Sequence, residues 1–279
     1  MLCLMSVAVA CNLSDGLVLG VDSAVTVSCG QSTKIYDNAE KIFQLGNKRV
    51  GIAIYGLAGL GERSIGSFIR EFESKDPAGV IARDCPMSEI AEALRLFFQE
   101  AYLRTVGAWL EGIKGKPFDQ IPLMEKPLLG LVVGGYSSGA FSSEVWQILI
   151  PNNADPNSGV IMTAPGIFGL TWYATSTPIQ RYMNGIDSDL LFELGEYIAR
   201  VMGRQLSPAE QDDVNAIVKR HQYRYVYNSM PIQAGIQCVR FLVDLAINHF
   251  RFVEGDSIVG GTPKLGVVTY RGETFRLLD

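Results

Sequence analysis

Histidine is scarce in this chain, with only His221 and His249 among 279 residues. Neither lies near a cysteine or a carboxylate motif, so no metal site is predicted and both read as surface or structural residues. Cysteine is sparse as well. Cys3, Cys11, Cys29, Cys85 and Cys238 are odd in number, scattered and without a CxxC pair, which argues against a disulfide framework and a zinc site. That usage fits a reducing, cytoplasmic compartment. No cluster of Lys and Arg is present, and a net charge of −5 argues against a nucleic-acid partner, which needs a basic face. No stretch approaches the roughly 18 continuous apolar residues of a membrane span. The start "MLCLMSVAVAC" is apolar, but it carries no basic region and its run is short for export. What remains is a chain 48% hydrophobic and 19% charged, long enough to bury a large core as one large domain or two small ones.

Alternation and turn chemistry predict a first hairpin, with residues 6–13, the turn "LSDG" and then 17–22. "SAVTVSCGQST" is small, polar and irregular, hence loop. Strands at 41–45 and 49–55 flank Gly46-Asn47, a hairpin dipeptide. The glycine-rich "YGLAGLG" then gives way to helical signals over 60–112, where Ser88 is the expected N-cap and residues 90, 94, 97, 98 and 101 share one face. Strands return at 128–136 and 144–151. A second helical block is expected from about 171 to 250, ending in a long amphipathic helix over 230–250. Residues 264–270 and 273–278 form a closing hairpin around Arg271-Gly272. Sheets with helices outside them make an α+β layered domain.

The opening stretch "SVAVACNLSDGLVLGVDSAVTV" resembles the start of a proteasome-type N-terminal nucleophile hydrolase, the β-type subunits and their bacterial relatives. In that family a terminal hydroxyl residue is followed by a strand, a turn glycine, an apolar strand and an aspartate. "GLVLGVDS" sets Gly16 on the turn glycine and Asp22 on the catalytic aspartate, and counting back without a gap sets Ser6 on the nucleophile. "EKIFQL" supplies the family's lysine as Lys41, and "IAIYGLAG" puts Gly56 on the oxyanion position. Near the end, "EGDSIVGGTPKLGVVTY" offers Asp256 before Gly260-Gly261. The resemblance covers 6–75 well, and 126–180 and 228–275 more loosely. It implies one domain over 1–279 with the four-layer αββα sandwich. It also implies a polypeptide substrate, no cofactor, a homo-oligomer built as a ring or spiral, and room for an ATP-dependent unfoldase as partner.

Two departures stand out. The family's accessory serines map onto "TAPGIFG" at 163–169 and onto Val259, so Thr171 or Ser257 is the substitute on offer. Residues 183–228 exceed the usual length between the last two helices and read as a helical insertion of two helices, the second starting at Ser207-Pro208.

The chemistry implied by the resemblance is amide hydrolysis through an acyl-enzyme ester. A serine hydroxyl needs a base, and an α-amine, with a pKa of about 7.7–8.0 against roughly 10.4 for lysine, can serve at neutral pH. Only a residue at the chain start owns both groups, so the peptide bond before Ser6 must be gone. Residues 1–5 are then a leader or a misassigned start. Translation from Met5 would give "MSVAVAC", whose small second residue favours methionine removal. Lys41 would sit beside the hydroxyl as an ammonium, with Asp22 orienting it and the Gly56 N–H donating to the oxyanion. Taken singly, Ser6 is a strand end, Asp22 a turn former, Lys41 a solvated strand-end residue and Gly56 a glycine ahead of a helix. Their order and register together carry the reading. Two alternatives stay open, a catalytically inactive scaffold subunit and a small-molecule amidohydrolase of the same chemistry.

Overall fold

The β-branched and aromatic runs of the N-terminal region form strands in chain order. A computed structural model describes residues 6–29, 32–151, 159–254, 259–272 and 274–278. Its first strands are β1 (Val7–Leu13), β2 (Gly16–Val21), β3 (Val25–Cys29), β4 (Ser32–Tyr36), β5 (Ile42–Gln44) and β6 (Val50–Gly56). The short pair β7 (Gly59–Leu60) and β8 (Arg63–Ser64) leads into helix α1 (Ile65–Lys75). Helix α2 (Met87–Tyr102) passes through a π-helical turn at Leu103–Gly107 into α3 (Ala108–Lys114). Strands β9 (Leu129–Gly135), β10 (Glu144–Ile150), β11 (Gly159–Thr163) and β12 (Gly169–Ala174) follow. Helices α4 (Thr177–Asn184), α5 (Ser188–Met202), α6 (Pro208–His221) and α7 (Ile232–Phe252) precede the closing strands β13 (Lys264–Thr269) and β14 (Arg276–Leu278).

The chain divides into two compact units, one of Met1–Thr175 with Tyr227–Asp279 and one of Ser176–Val226. The first unit holds two antiparallel five-stranded sheets, ordered β12-β1-β2-β13-β14 and β11-β10-β9-β6-β5. Their facing surfaces make one core, in which Ala8, Ala10, Leu17 and Leu19 meet Ala53, Tyr55, Val132 and Val145. The other surface of the second sheet, with Ile52, Ile54, Leu131 and Ile148, packs on Phe68, Phe72, Leu94 and Phe98 of α1 and α2. Helix α7 covers β1 and β2 from the remaining side, and it comes close because β2 offers no side chain there. A Cβ on Gly20 would stand 2.4 Å from Val239 Cγ1. With every residue of β1 and β2 buried, neither strand has a polar face.

In the second unit, α5 starts at Asp187, whose side chain accepts from the Leu190 N–H. Helix α6 starts at the Ser207-Pro208 dipeptide with a complete Ser207–Glu210 capping box.

Four local expectations are corrected. The "SAVTVSCGQST" segment is not loop, since β3 and β4 pair with each other through Val25, Thr26 and Val27 opposite Tyr36, Ile35 and Lys34. β-Branched residues win over the small polar ones between them. Part of the 60–112 helical stretch is the β7–β8 pair. Ser88 does not cap α2. The helix begins at Met87, two residues earlier than a Ser88 cap would set it, and the Ser137 Oγ accepts the Met87 N–H at 2.9 Å from another part of the chain. Finally, the block from 171 opens as strand rather than helix. "LTWYA" is rich in strand formers, and β1 needs a partner on its free edge, which β12 provides.

One side chain locks the two sheets together. Phe275 is fully buried, and its ring fills the space that a Cβ would take on both Gly51 of β6 and Gly266 of β13. Phe275→Ala is expected to lower stability by about 3–5 kcal/mol, measured as a shift in the urea midpoint.

Candidate active site

Three polar side chains meet at one end of the first sheet. Ser6 precedes β1 and Asp22 follows β2, and the antiparallel register that pairs Ala8 with Val21 sets Val7 opposite Asp22. The Val7 N–H donates to Asp22 Oδ1 at 3.1 Å, and the Asp22 N–H donates to the Val7 carbonyl at 3.3 Å. Lys41 comes from the other sheet. Its carbonyl accepts the Ile54 N–H at 2.8 Å, which fixes its main chain just before β5. Packed sheets stand about 10 Å apart, so a long side chain is needed to cross.

Lys41 makes that crossing. Its Nζ donates to Ser6 Oγ at 2.9 Å and to both Asp22 oxygens at 3.1 Å. All three residues are buried, at 1%, 0% and 3% exposure for Ser6, Asp22 and Lys41. Asp22 Oδ2 also accepts the N–H groups of Ala24 at 3.3 Å and Gly260 at 3.4 Å. The carboxylate is therefore surrounded by donors, as a buried anion must be.

A second set of bonds holds Gly260 in place. The Ser23 Oγ donates to the Asp37 carbonyl at 2.6 Å and accepts the Thr262 N–H at 2.8 Å. Gly261 lies between them with φ +74, and a Cβ there would stand 2.3 Å from Ser23 Oγ and 2.4 Å from the Asp37 carbonyl. Only glycine fits. Ser23 has no role assigned to it from the sequence. Its signal is its position directly after Asp22, in the Asp-Ser pair that ends the opening stretch.

Gly56 ends β6, two residues beyond the Ile54 that faces Lys41, hence roughly 7 Å further along the strand. Its φ is +80, and a Cβ would fall 2.1 Å from the Leu128 carbonyl, so the glycine is required by the turn itself. Asp256 and Ser257 lie outside the described residues. Val259 is fully buried and brings no hydroxyl. Thr171 does not reach Ser6: it pairs with Ala10, three register positions from the Val7–Ala174 pair, and its hydroxyl meets the Tyr173 OH at 3.0 Å. The residue that faces Ser6 on β12's side is Thr175, whose N–H donates to the Ser6 carbonyl at 3.0 Å. Thr175 follows strand β12, where a helix is expected from the sequence.

The electrostatics follow from burial. Desolvation pulls the Lys41 pKa below the usual lysine value, with the Asp22 charge and hydrogen bond opposing it. Desolvation pushes Asp22 up, opposed by Lys41 and by the Val7 and Gly260 N–H donors. Each charge is thus held in the pocket by the other. No group of three or more His, Cys, Asp or Glu side chains suited to a metal is found among the described residues, and none of the described helices is long and apolar enough to cross a membrane.

Removing one partner from a buried pair leaves the other uncompensated, so Lys41→Met is expected to cost about 3–5 kcal/mol at neutral pH. Asp22→Asn added to it should recover most of that loss. The sign of the pH dependence follows from Asp22. A carboxylate with a raised folded-state pKa contributes stability that is present at low pH and lost as pH rises through that value. Without Lys41 the main opposing charge is gone, so the deficit of Lys41→Met should shrink as the urea midpoint is measured from about pH 8 down to about pH 5.

No family model matches this chain, and no curated protein matches it in sequence. Solved structures do match in fold. Anbu (ancestral beta-subunit) from Yersinia bercovieri superposes over 97% of this chain and 86% of its own, with a TM-score of 0.54 and 14% identity. An Anbu (Gly-1) mutant from Hyphomicrobium sp. strain MC1 does so over 98% and 85%, with a TM-score of 0.53 and 15% identity. At these identities the likeness is one of fold, a mixed arrangement of helices and antiparallel sheets like that of the Anbu structures.

Proposed function

We propose that this chain is a proteasome-like peptidase whose nucleophile is Ser6, exposed as the N-terminal residue by loss of residues 1–5. One observation carries the reading: Lys41 Nζ stands 2.9 Å from Ser6 Oγ and is held there by Asp22 in a buried pocket. An ordinary core would not bury three such groups together unless their contact served some purpose. The fold likeness to a β-subunit adds support, and so does the glycine turn at Gly56.

The reaction runs in two halves. The freed α-amine takes the Ser6 proton as Oγ attacks the scissile carbonyl, and the Lys41 charge favours the developing alkoxide. The Gly56 N–H donates to the oxyanion, a contribution of about 2.7–4 kcal/mol at sites of this kind. The amine leaving group takes the proton, and water then hydrolyses the Ser6 ester. Under this reading the layers form the four-layer αββα sandwich, residues 183–228 are a helical insertion into one hydrolase domain, the substrate is a polypeptide, and copies assemble as a homo-oligomer. The resemblance adds Asp256 to the catalytic set.

A second reading has its own observation. Val259 and the distant Thr171 leave the accessory hydroxyls of the family unfilled at those positions, which favours an inactive scaffold subunit.

Intact mass and a peptide epoxyketone, which needs hydroxyl and free amine together, separate the two. The peptidase reading expects a chain beginning at Ser6, covalently labelled there, with labelling abolished in Ser6→Ala and lowered about a hundredfold or more in Lys41→Ala. The labelling rate should rise with pH as the α-amine deprotonates, with a midpoint near its usual value of about 7.7–8.0. A chain that begins at Ser6 and takes no label is the scaffold.

A further inference from the structure

We infer that α5 pairs with α5 of a second copy of this chain, antiparallel and about a two-fold axis. The inference names one contact for the homo-oligomer proposed above and does not require Ser6 to be a nucleophile. It rests on a helix with two apolar stripes. Leu191, Gly195, Ile198 and Ala199 form the more covered one, with Ala199 buried. Leu190, Leu194, Tyr197 and Val201 form the other, and these four are 42%, 42%, 56% and 69% exposed. Exposure of one large apolar side chain means little, but a contiguous row marks an interaction surface.

The spacing of that row is four, three and four residues, the repeat of a helix–helix seam. Placed antiparallel on a copy of itself, Leu190 meets Val201 and Leu194 meets Tyr197, and the same two contacts recur across the axis. The flanks decide the partner. Glu193 and Arg200 occupy equivalent positions beside the seam, seven residues apart, which is about 10.5 Å along the helix. At that distance they do not pair with each other, and among the described residues neither forms a salt bridge. Arg200 instead lies over the Tyr197 ring at 5.5 Å. In the antiparallel pair, Glu193 of each copy faces Arg200 of the other, so both charges find opposite partners twice over. A parallel pair would set both beside apolar flanks. The helix is therefore complementary to itself in one orientation only, which is the mark of an isologous contact.

Charge swaps on the full chain test this by sedimentation velocity. Both residues are exposed and outside the Ser6 site, so folding is spared. The wild-type chain should self-associate in the micromolar range, since a contact of this length is smaller than a standard interface. Glu193→Arg and Arg200→Glu should each weaken that association about tenfold or more, because two attractive pairs become two repulsive ones. The double variant should return to wild-type behaviour. An equimolar mixture of the two single variants should also associate, as one copy then carries two arginines and the other two glutamates. A chain that stays monomeric at roughly 100 μM, above the range expected for a weak contact, overturns the proposal. Association that ignores the single reversals overturns it too, by putting the contact elsewhere.

Discussion

A buried lysine and aspartate reach each other across the gap between two sheets, and the arrangement around them follows from the need to keep both charged. Taking either ion out of water costs several kcal/mol, which the mutual attraction offsets only with good geometry and with every remaining lone pair satisfied. Asp22 meets that condition through Lys41 and three backbone N–H groups. Three separate chain segments are thereby pinned to one carboxylate: the start of β1, the end of β2 and the glycine pair ahead of β13. The hydroxyl of Ser6 receives the remaining Lys41 bond as a result of that arrangement.

Close approach of the layers is the second constraint, and it is met by omission of side chains. Gly51 and Gly266 leave room for Phe275, and Gly20 for Val239. Large rings against bare backbone give dense packing without steric conflict. The same device sets how far Lys41 must reach, since the separation of the sheets near β5 and β13 depends on what lies between them.

Much of this was legible in the sequence where pattern and chemistry coincide. The first hairpin, β5 and β6, β9, β10, α7 and the closing hairpin follow from alternation, turn residues and helical spacing. The Ser6, Asp22 and Lys41 constellation was legible through family resemblance, since Lys41 alone is an ordinary strand-end lysine. What escaped depends on partners distant in sequence. The cap of α2 is the Ser137 hydroxyl, fifty residues away, so Ser88 looked like the cap. The strand formers of β12 are local, but the edge of β1 that they fill lies about 160 residues away in sequence. Ser23 owes its role to Asp37 and Thr262, contacts that no local window contains.

The bond from the Gly260 N–H to Asp22 joins residues 238 positions apart. During synthesis β1 and β2 leave the ribosome long before the glycine pair. Until that segment docks, the carboxylate lacks one of its donors and β2 lacks its neighbour β13. A nascent polypeptide thus holds Ser6 beside an incomplete anion cage, and the finished geometry arises only once the segment that carries Gly260 has emerged and docked.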